Sequence, residues 1–396
     1  MKFFRNININ KSTLVVCLIY FTIFAGYGAF GQFNLYLLGT GLTAFKVSLI
    51  TGMVPLVMLF TLSFWGMIAD RFGRKYVLLI VLVCDSAITL LYLLHGGFVY
   101  IFSLTLLYAV FSNPKSALMD SVTMDYVNSH GATDYGKVRL WGAVGFSVAS
   151  FMVGYFISEN NIKILFPITA AINVVAGILI FSFMKFEKNG NVDESINFKN
   201  LKFLFKDKMV LLFFILIVFF AIFSSPFSGF YNFYLQDIGA SNKIVGLAFS
   251  IMAICELPFY FFGSKIVKKY GFQNVLMLSM LATGIRMCGY YFISNPYHAI
   301  ILDTTHGICY SLFAVAVVEY ISNALPDKWR ATGIALMWTA YNGIGVFFGG
   351  LFNGILYDNF QGKGMMLTQG ILTALVAMIT YFVFDRRNKQ NALLLS

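Results

Sequence analysis

The sequence predicts an all-α membrane protein with twelve transmembrane helices in two six-helix halves. Hydrophobic residues make up 59% of the 396 residues and charged residues 11%, against about 45–50% and about 25% in typical globular proteins. Long continuous apolar runs such as 211–222 lack the alternation that a transmembrane β-barrel needs. Twelve spans of about 20 residues fit this length and leave short loops.

The apolar runs divide the chain into an N-terminal half, a polar linker and a C-terminal half. The halves cover 1–184 and 209–396, and the polar stretch 185–208 between them is predicted to be a cytoplasmic linker. The twelve predicted helices lie at 13–38, 44–69, 76–94, 99–127, 136–158, 163–184, 209–236, 243–264, 275–293, 297–325, 331–357 and 363–384.

The basic residues predict the orientation. With the N-terminus inside, the segments on the cytoplasmic side hold 21 Lys and Arg and those on the outer side hold 4. Such an excess marks cytoplasmic loops, so both termini are expected in the cytoplasm of a multi-pass plasma-membrane protein. Because these bases are spread over loops and do not form one face, the net charge of +11 does not indicate nucleic-acid binding.

Two loops and two glycine pairs indicate an internal repeat. The segment 70–73 and the valine and leucine that follow it correspond to 268–271 and its own valine and leucine, 198 residues later. Gly145 and Gly154 correspond to Gly345 and Gly354 at an offset of 200. The matches favour two parallel six-helix repeats, as in some secondary transporters.

Residues 66–75, Gly-Met-Ile-Ala-Asp-Arg-Phe-Gly-Arg-Lys, resemble the signature loop of the major facilitator superfamily between helices two and three. The resemblance implies a transporter with a conformational hinge loop. The residues of that loop that carry the motif are Gly66, Asp70, Arg71, Gly73, Arg74 and Lys75. Segments 135–146, 284–289 and 302–307 are similar to helices five, nine and ten of the lactose-permease and phenylpropionate-permease branch.

That branch implies a substrate site in the N-terminal half. Its helix-five arginine corresponds to Arg139 and its helix-four acid to Asp120. Asp125 is the rival partner of Arg139, because counting back from the loop places it closer to the depth of Arg139. We choose Asp120 on the resemblance. Trp141 is a candidate for stacking on a sugar ring or for core packing. The branch's proton-carrying glutamate falls on Cys309, so the proton route must differ here.

Ionisable residues inside the membrane are costly and usually functional. Arg286, Asp303 and His306 are expected at similar depth, with Asp303 and His306 on one helix face. We interpret them as a proton-coupling triad facing the cavity, with a static ion pair as the alternative. Asp303 is the first candidate for the proton carrier and Glu256, alone in mid-helix, is the second.

Lys115 has two interpretations of equal weight. It lies near the middle of helix four, directly after Pro114. It either neutralises an anionic substrate or forms a structural pair with Asp85 on helix three.

The sequence as a whole predicts a secondary active transporter for a small organic solute, a sugar or oligosaccharide first, acting as a proton symporter. Aromatic or other organic acids and drug efflux are the alternatives. A membrane-embedded enzyme is the rival class, but the scattered histidines have no metal spacing and no phosphate-binding loop is present. No cofactor or metal is expected, the partners are the solute and the bilayer, and a monomer is expected to function.

Overall fold

The computed structural model describes residues 11–94, 96–130, 135–157, 159–183, 208–325, 333–334 and 336–395, which form helices and their connections. The α-helices are α1 Lys11–Phe30, α2 Phe33–Gly39, α3 Ala44–Phe72, α4 Arg74–Leu91, α5 Phe98–Ser112, α6 Pro114–His130, α7 Tyr135–Phe156, α8 Leu165–Phe183, α9 Lys208–Ser224, α10 Tyr231–Asp237, α11 Asn242–Tyr270, α12 Phe272–Tyr291, α13 Pro296–Asp303, α14 Leu312–Ala324 and α15 Val346–Leu395. Glu159–Ile164 and Ser225–Ser228 are 3₁₀-helical, and Gly307–Ser311 and Thr339–Gly345 are π-helical.

Many of these helices are long and apolar. Among the described residues, eight helical stretches are long and apolar enough to cross a membrane. The last of them, Leu336–Phe384, spans 49 residues and is interrupted at Gln361, whose φ of 58° is not helical. The all-helical, membrane-embedded class that the sequence predicts is therefore confirmed.

The chain forms two compact units, each with its own apolar core. The first comprises Met1–Leu42, Leu56–Asp193 and Ser241–Ile254, and the second comprises Thr43–Pro55, Glu194–Ala240 and Cys255–Ser396. The core of the first includes Tyr20 and Met119, and the core of the second includes Phe213 and Phe313. The predicted domain limits at 184 and 208 border the stretch 184–207, which lies outside the described residues, and they stay a prediction.

The offset of 198 residues relates whole elements as well as loops. It separates α2 from α10 and α3 from α11 at both ends, and it separates the first residues of α5 and α13. In each repeat a tyrosine hydroxyl donates to the same carbonyl position: Tyr36 to the Tyr92 carbonyl at 3.3 Å, and Tyr234 to the Tyr290 carbonyl at 2.8 Å. The two repeats therefore share local geometry in addition to sequence fragments.

Five helices that the sequence predicts as continuous are not regular throughout. The predicted helix 13–38 breaks at 31–32, 99–127 breaks at Asn113, and 209–236 passes through Ser225–Ser228 and Gly229. The predicted helices 297–325 and 331–357 each contain a π-helical segment. Pro114 and Pro226 explain two of the breaks, because proline has no N–H to donate to the preceding turn.

Candidate functional site

Four ionisable side chains meet in the second unit. Arg286 lies on α12, Asp303 ends α13, His306 precedes the first π-helical segment, and Glu256 lies on α11. The guanidinium places Nη2 3.0 Å from Asp303 Oδ1 and Nη1 2.8 Å from His306 Nδ1. His306 Nε2 lies 3.1 Å from Glu256 Oε1. The predicted triad is thus brought together, and Glu256 joins it as a fourth member.

Two tyrosines that the sequence did not single out hold this cluster in place. Arg286 Nε donates to the Tyr290 hydroxyl at 2.8 Å, and that hydroxyl donates to Asp303 Oδ1 at 2.6 Å. Tyr231 donates to Asp303 Oδ2 at 2.7 Å. Tyr290 follows Arg286 by four residues, a spacing that puts both on one helix face and could have suggested the contact. Tyr231 carries no such signal.

A cavity of about 260 Å³ opens beside the cluster. Its wall is made of aromatic, small polar and ionisable side chains: Phe220, Ser224, Phe227, Ser228, Glu256, Thr283, Arg286, His306, Cys309, Tyr310, Tyr341 and Asn342. Asp303 is not part of this wall and is 0% exposed. The expectation that Asp303 faces the cavity is therefore wrong, because it lies behind Arg286 with its oxygens taken by Arg286 and the two tyrosines.

A glycine lets the helix segment that carries His306 reach α11. A Cβ at Gly307 would overlap the Cys255 carbonyl oxygen and the Phe259 ring, so no other residue fits there without a shift of the helices. The Thr304 and Thr305 hydroxyls donate to backbone carbonyls three residues earlier. These bonds compete with the backbone hydrogen bonds of the helix just before the π-helical segment. His306 consequently lies against the residue that follows Cys255, which is Glu256.

Three irregular segments contribute to the cavity wall. The 3₁₀ segment supplies Phe227 and Ser228, and the two π-helical segments supply Cys309, Tyr310, Tyr341 and Asn342. The Arg286 guanidinium lies 4.2 Å from the Phe227 ring centroid, and the His306 ring stacks on Tyr310 at 5.7 Å. Single-turn π-bulges are frequent at functional sites, and here they turn side chains toward one polar cavity.

The first unit contains a separate buried ion pair. Lys115 Nζ on α6 lies 2.8 Å from Asp85 Oδ2 on α4, and both side chains are at most 1% exposed. The Asn173 amide of α8 donates to the same carboxylate oxygen, and the Lys115 ammonium lies 4.8 Å from the Tyr27 ring centroid. Of the two interpretations of Lys115, this geometry matches the structural pair.

Asp120 and Arg139 meet through an aromatic intermediate. Tyr20 donates its hydroxyl to Asp120 Oδ1, and the Arg139 guanidinium lies 5.6 Å from the Tyr20 ring centroid and 4.4 Å from that of Phe24. Arg139 is exposed. Trp141 packs partly buried against the core of this unit. Asp125, the rival partner, has a side chain outside the described residues.

The predicted hinge loop is shorter than expected. Gly66, Asp70 and Arg71 belong to α3, and only Gly73, with φ of 95°, separates α3 from α4. Arg74 donates to the Ser121 carbonyl at 3.3 Å and Lys75 to the Phe181 carbonyl at 3.0 Å. These two bases thus bind helices α6 and α8. The Asp70 side chain lies outside the described residues.

No group of three His, Cys, Asp or Glu side chains in the described part of the chain could hold a metal ion. The site that remains is a polar cavity with ionisable walls inside an apolar helical protein. Those features are typical of a membrane transport protein.

The chain belongs to the MFS_1 like family, which it matches over residues 14–367. It is 29% identical over 357 residues to the uncharacterized transporter YwbF of Bacillus subtilis (strain 168), covering 88% of this chain and 87% of the relative. It is 24% identical to the maltose permease of Geobacillus stearothermophilus, over 94% of each chain. The resemblance to the major facilitator superfamily is confirmed, and the chain is a transporter of that superfamily.

Solved structures agree on the fold. The crystal structure of the nucleoside transporter NupG matches with a TM-score of 0.81 and 17% identity, covering 95% of this chain and 99% of that one. At this identity the likeness shows the fold alone.

Proposed function

We propose that this chain is a proton-coupled symporter that moves a small, uncharged, hydroxyl-bearing solute, a sugar or oligosaccharide first, across the plasma membrane by alternating access. The observation that carries the proposal is the cavity of the second unit, where Arg286, His306 and Glu256 line the wall and are paired with each other or with Asp303. The maltose permease relative supports the choice of a sugar.

The pairing of charges favours an uncharged solute. An organic acid would need basic side chains inside the membrane, and the candidates are Lys115, Arg139 and Arg286. Lys115 is paired with Asp85 and Arg286 with Asp303, so neither has free charge for a carboxylate. Arg139, the third base, belongs to neither of these pairs and lies over the rings of Tyr20 and Phe24. Hydrogen-bonding side chains and aromatic rings remain, and aromatic faces suit the apolar faces of sugar rings. A nucleoside has the same combination of hydroxyls and a flat ring, so it is the second candidate.

The hydrogen-bond pattern supports Glu256 as the proton carrier. A guanidinium has only donors, so His306 Nδ1, 2.8 Å from Arg286 Nη1, must be the acceptor. The ring proton is then on Nε2, where it donates to Glu256 Oε1 at 3.1 Å. A second proton on His306 would set two donors against each other. Glu256 is 23% exposed at the cavity, so it can receive a proton without breaking this arrangement, while Asp303 is sealed from the cavity.

Twelve spans, with both termini in the cytoplasm, complete the proposal. The eight candidate stretches include Leu336–Phe384, which is long enough for two crossings. Helices α4, α12 and the α5–α6 pair supply three more apolar crossings with ionisable residues inside. Single cysteines at Gly97 and at Asn189, the latter outside the described residues, should then label from opposite sides of the membrane. Labelling from the same side would contradict the map.

Transport itself is tested in proteoliposomes. Purified protein should accumulate a sugar when the outside is acidic, and the same solute should acidify the lumen when it enters. A panel of sugars, nucleosides, aromatic acids and cationic drugs identifies the class, and chemical analysis of the recovered solute separates transport from turnover. Accumulation of an organic acid but of no uncharged solute would contradict the proposed class.

A further inference from the structure

An apolar groove lies on the second unit, on the same pair of helical segments that line the polar cavity. Its volume is about 330 Å³. Its lining comes from α9 and from the segment around the second π-helix, and apart from one threonine it is entirely hydrocarbon: Phe214, Ile215, Val218, Phe219, Leu336, Thr339, Ala340 and Ile344. Ile215, Phe219 and Ile344 are 43%, 47% and 41% exposed.

The groove lies within the depth of the hydrocarbon layer. Its α9 residues belong to the apolar stretch Lys208–Ser228 and begin at Phe214, which places them about 9–17 Å along the helix from Lys208. A bilayer core is about 30 Å thick. By this measure the groove runs from the leaflet on the Lys208 side to about the middle of the bilayer, a depth at which lipid tails are the available occupant.

Both helical walls of the groove also contribute residues to the cavity wall. On α9, Phe214 and Val218 face the groove while Phe220 and Ser224 line the cavity. On the π-helical segment Thr339–Gly345, Thr339, Ala340 and Ile344 line the groove while Tyr341 and Asn342 line the cavity. The two segments meet closely at one end, where a Cβ on Gly345 would overlap the Ala221 Cβ, and the groove lies beside that contact.

We propose that this groove is a binding site for one phospholipid acyl chain, and that its occupancy sets the position of the π-helical segment and thereby the shape of the polar cavity. The lining matches a hydrocarbon chain in chemistry and depth. The shared walls carry the effect, because the groove and the cavity are lined by neighbouring residues of one segment, whose hydrogen bonding already departs from the α-helix.

The binding is tested by photolabelling in proteoliposomes. The probe is a phosphatidylcholine with a diazirine in the middle of one acyl chain, and cross-linked peptides are mapped by mass spectrometry. We expect labelling concentrated in 214–219 and 336–344. Thr339→Phe fills the groove from its rim and should lower that labelling roughly tenfold, the effect of displacing about two buried methylenes. Ile355→Phe, at a lipid-exposed position of α15 outside the groove, should leave it unchanged.

Even labelling over all lipid-facing helices would overturn the site. Protection of the groove together with cross-links between protein chains would also overturn it, since a second copy would then be the occupant.

The effect on the cavity has its own readout, which does not depend on transport. Cys309 lines the cavity, so its alkylation by N-ethylmaleimide, followed by mass spectrometry, reports the shape of the cavity. In wild-type protein the rate should differ between lipid-depleted micelles and phosphatidylcholine vesicles, and Thr339→Phe should abolish that difference while Ile355→Phe keeps it. Equal rates in the wild type would overturn the coupling of groove to cavity.

Discussion

The two repeats place opposite chemistry on equivalent positions. At an offset of 198 residues, the ionisable cluster of the second repeat has an uncharged counterpart in the first. Arg286 corresponds to Ile88, Asp303 to Thr105, His306 to Tyr108, Tyr231 to Phe33 and Glu256 to Met58. Only the tyrosine is kept: Tyr92 hydrogen-bonds Thr105 at 2.8 Å where Tyr290 bonds Asp303 at 2.6 Å.

The comparison also runs in the other direction. The buried pair of the first repeat, Asp85 and Lys115, corresponds to Thr283 and Phe313 in the second. The aromatic residues around Tyr92 stack on each other in the first repeat, with Phe30 on Tyr108 at 4.5 Å and Tyr92 on Phe166 at 5.0 Å. The same helical frame therefore forms with or without charge at these positions. This contrast favours a functional role for the four-residue ionic cluster over a purely structural one, which the variants below test.

The largest expected effect comes from breaking the Arg286–Asp303 pair on one side. Asp303→Thr introduces the residue of the first repeat and leaves a buried guanidinium without its carboxylate, which should cost about 3–5 kcal/mol. The double variant Arg286→Ile and Asp303→Thr reproduces the first repeat and should recover most of the melting temperature while transport stays lost. A double variant as unstable as the single one would show that the repeats are not interchangeable in this way.

The Asp85–Lys115 pair of the first repeat can be tested with the same kind of variants. Lys115→Phe alone should destabilise by about 3–5 kcal/mol because Asp85 stays buried and charged. Asp85→Thr with Lys115→Phe introduces the residues of the second repeat and should restore stability and keep solute binding, measured by equilibrium binding to purified protein. Loss of solute binding in a stable double variant would show that Lys115 takes part in the substrate site.

The tyrosine position that both repeats share sharpens the comparison. Tyr290→Phe removes hydrogen bonds to a guanidinium and a carboxylate and should cost about 1.5–3 kcal/mol, whereas Tyr92→Phe removes one bond to a neutral hydroxyl and should cost about 0.5–1.5 kcal/mol. Thermal unfolding in one detergent compares the two directly. Equal losses would mean that the charges in the second repeat do not strengthen the contact.

The matched hinge glycines should give the smallest difference. Gly73 and Gly271 have φ of 95° and 79°, in the region that L side chains avoid, and a Cβ on Gly271 would meet no atom within 4 Å. With ψ of 145°, Gly271 lies in an extended positive-φ region that essentially only glycine adopts, so Gly271→Ala should cost about 1–3 kcal/mol from backbone strain alone. Gly73→Ala should cost a similar amount by the same thermal assay, and a cost several times larger at Gly73 would reveal a role beyond the turn.

The sequence predicted most of the helical frame and part of the site. The sequence predicts Arg286, Asp303 and His306 as site residues because a charge inside an apolar helix is costly. Their spacing predicts that they lie close together. The pairing of Glu256 with His306 could not be predicted, since it depends on the approach of two distant helices at Gly307. Composition does not point to Tyr231 or Tyr290, because a tyrosine in an apolar helix is ordinary. Only the four-residue spacing from Arg286 to Tyr290 indicates a contact.

The irregular helical segments are the second feature that the sequence does not predict fully. Pro114 and Pro226 are visible in the sequence and mark two of the breaks, but the π-helical segments Gly307–Ser311 and Thr339–Gly345 arise from tertiary packing. Those segments supply four of the cavity residues, so the cavity wall could not be assembled from periodicity. The burial of Asp303 behind Arg286 likewise depends on side-chain contacts across three helices.

The central claim is that the ionic cluster of the second repeat carries the proton on Glu256. The most direct measurement compares proton-driven accumulation with solute exchange in proteoliposomes for Glu256→Gln, using the solute found in the panel above. Met58→Gln, which puts the same side chain at the equivalent position of the first repeat, is the matched control. Glu256→Gln should lose accumulation and keep exchange, and Met58→Gln should keep both. Normal accumulation by Glu256→Gln would contradict the account.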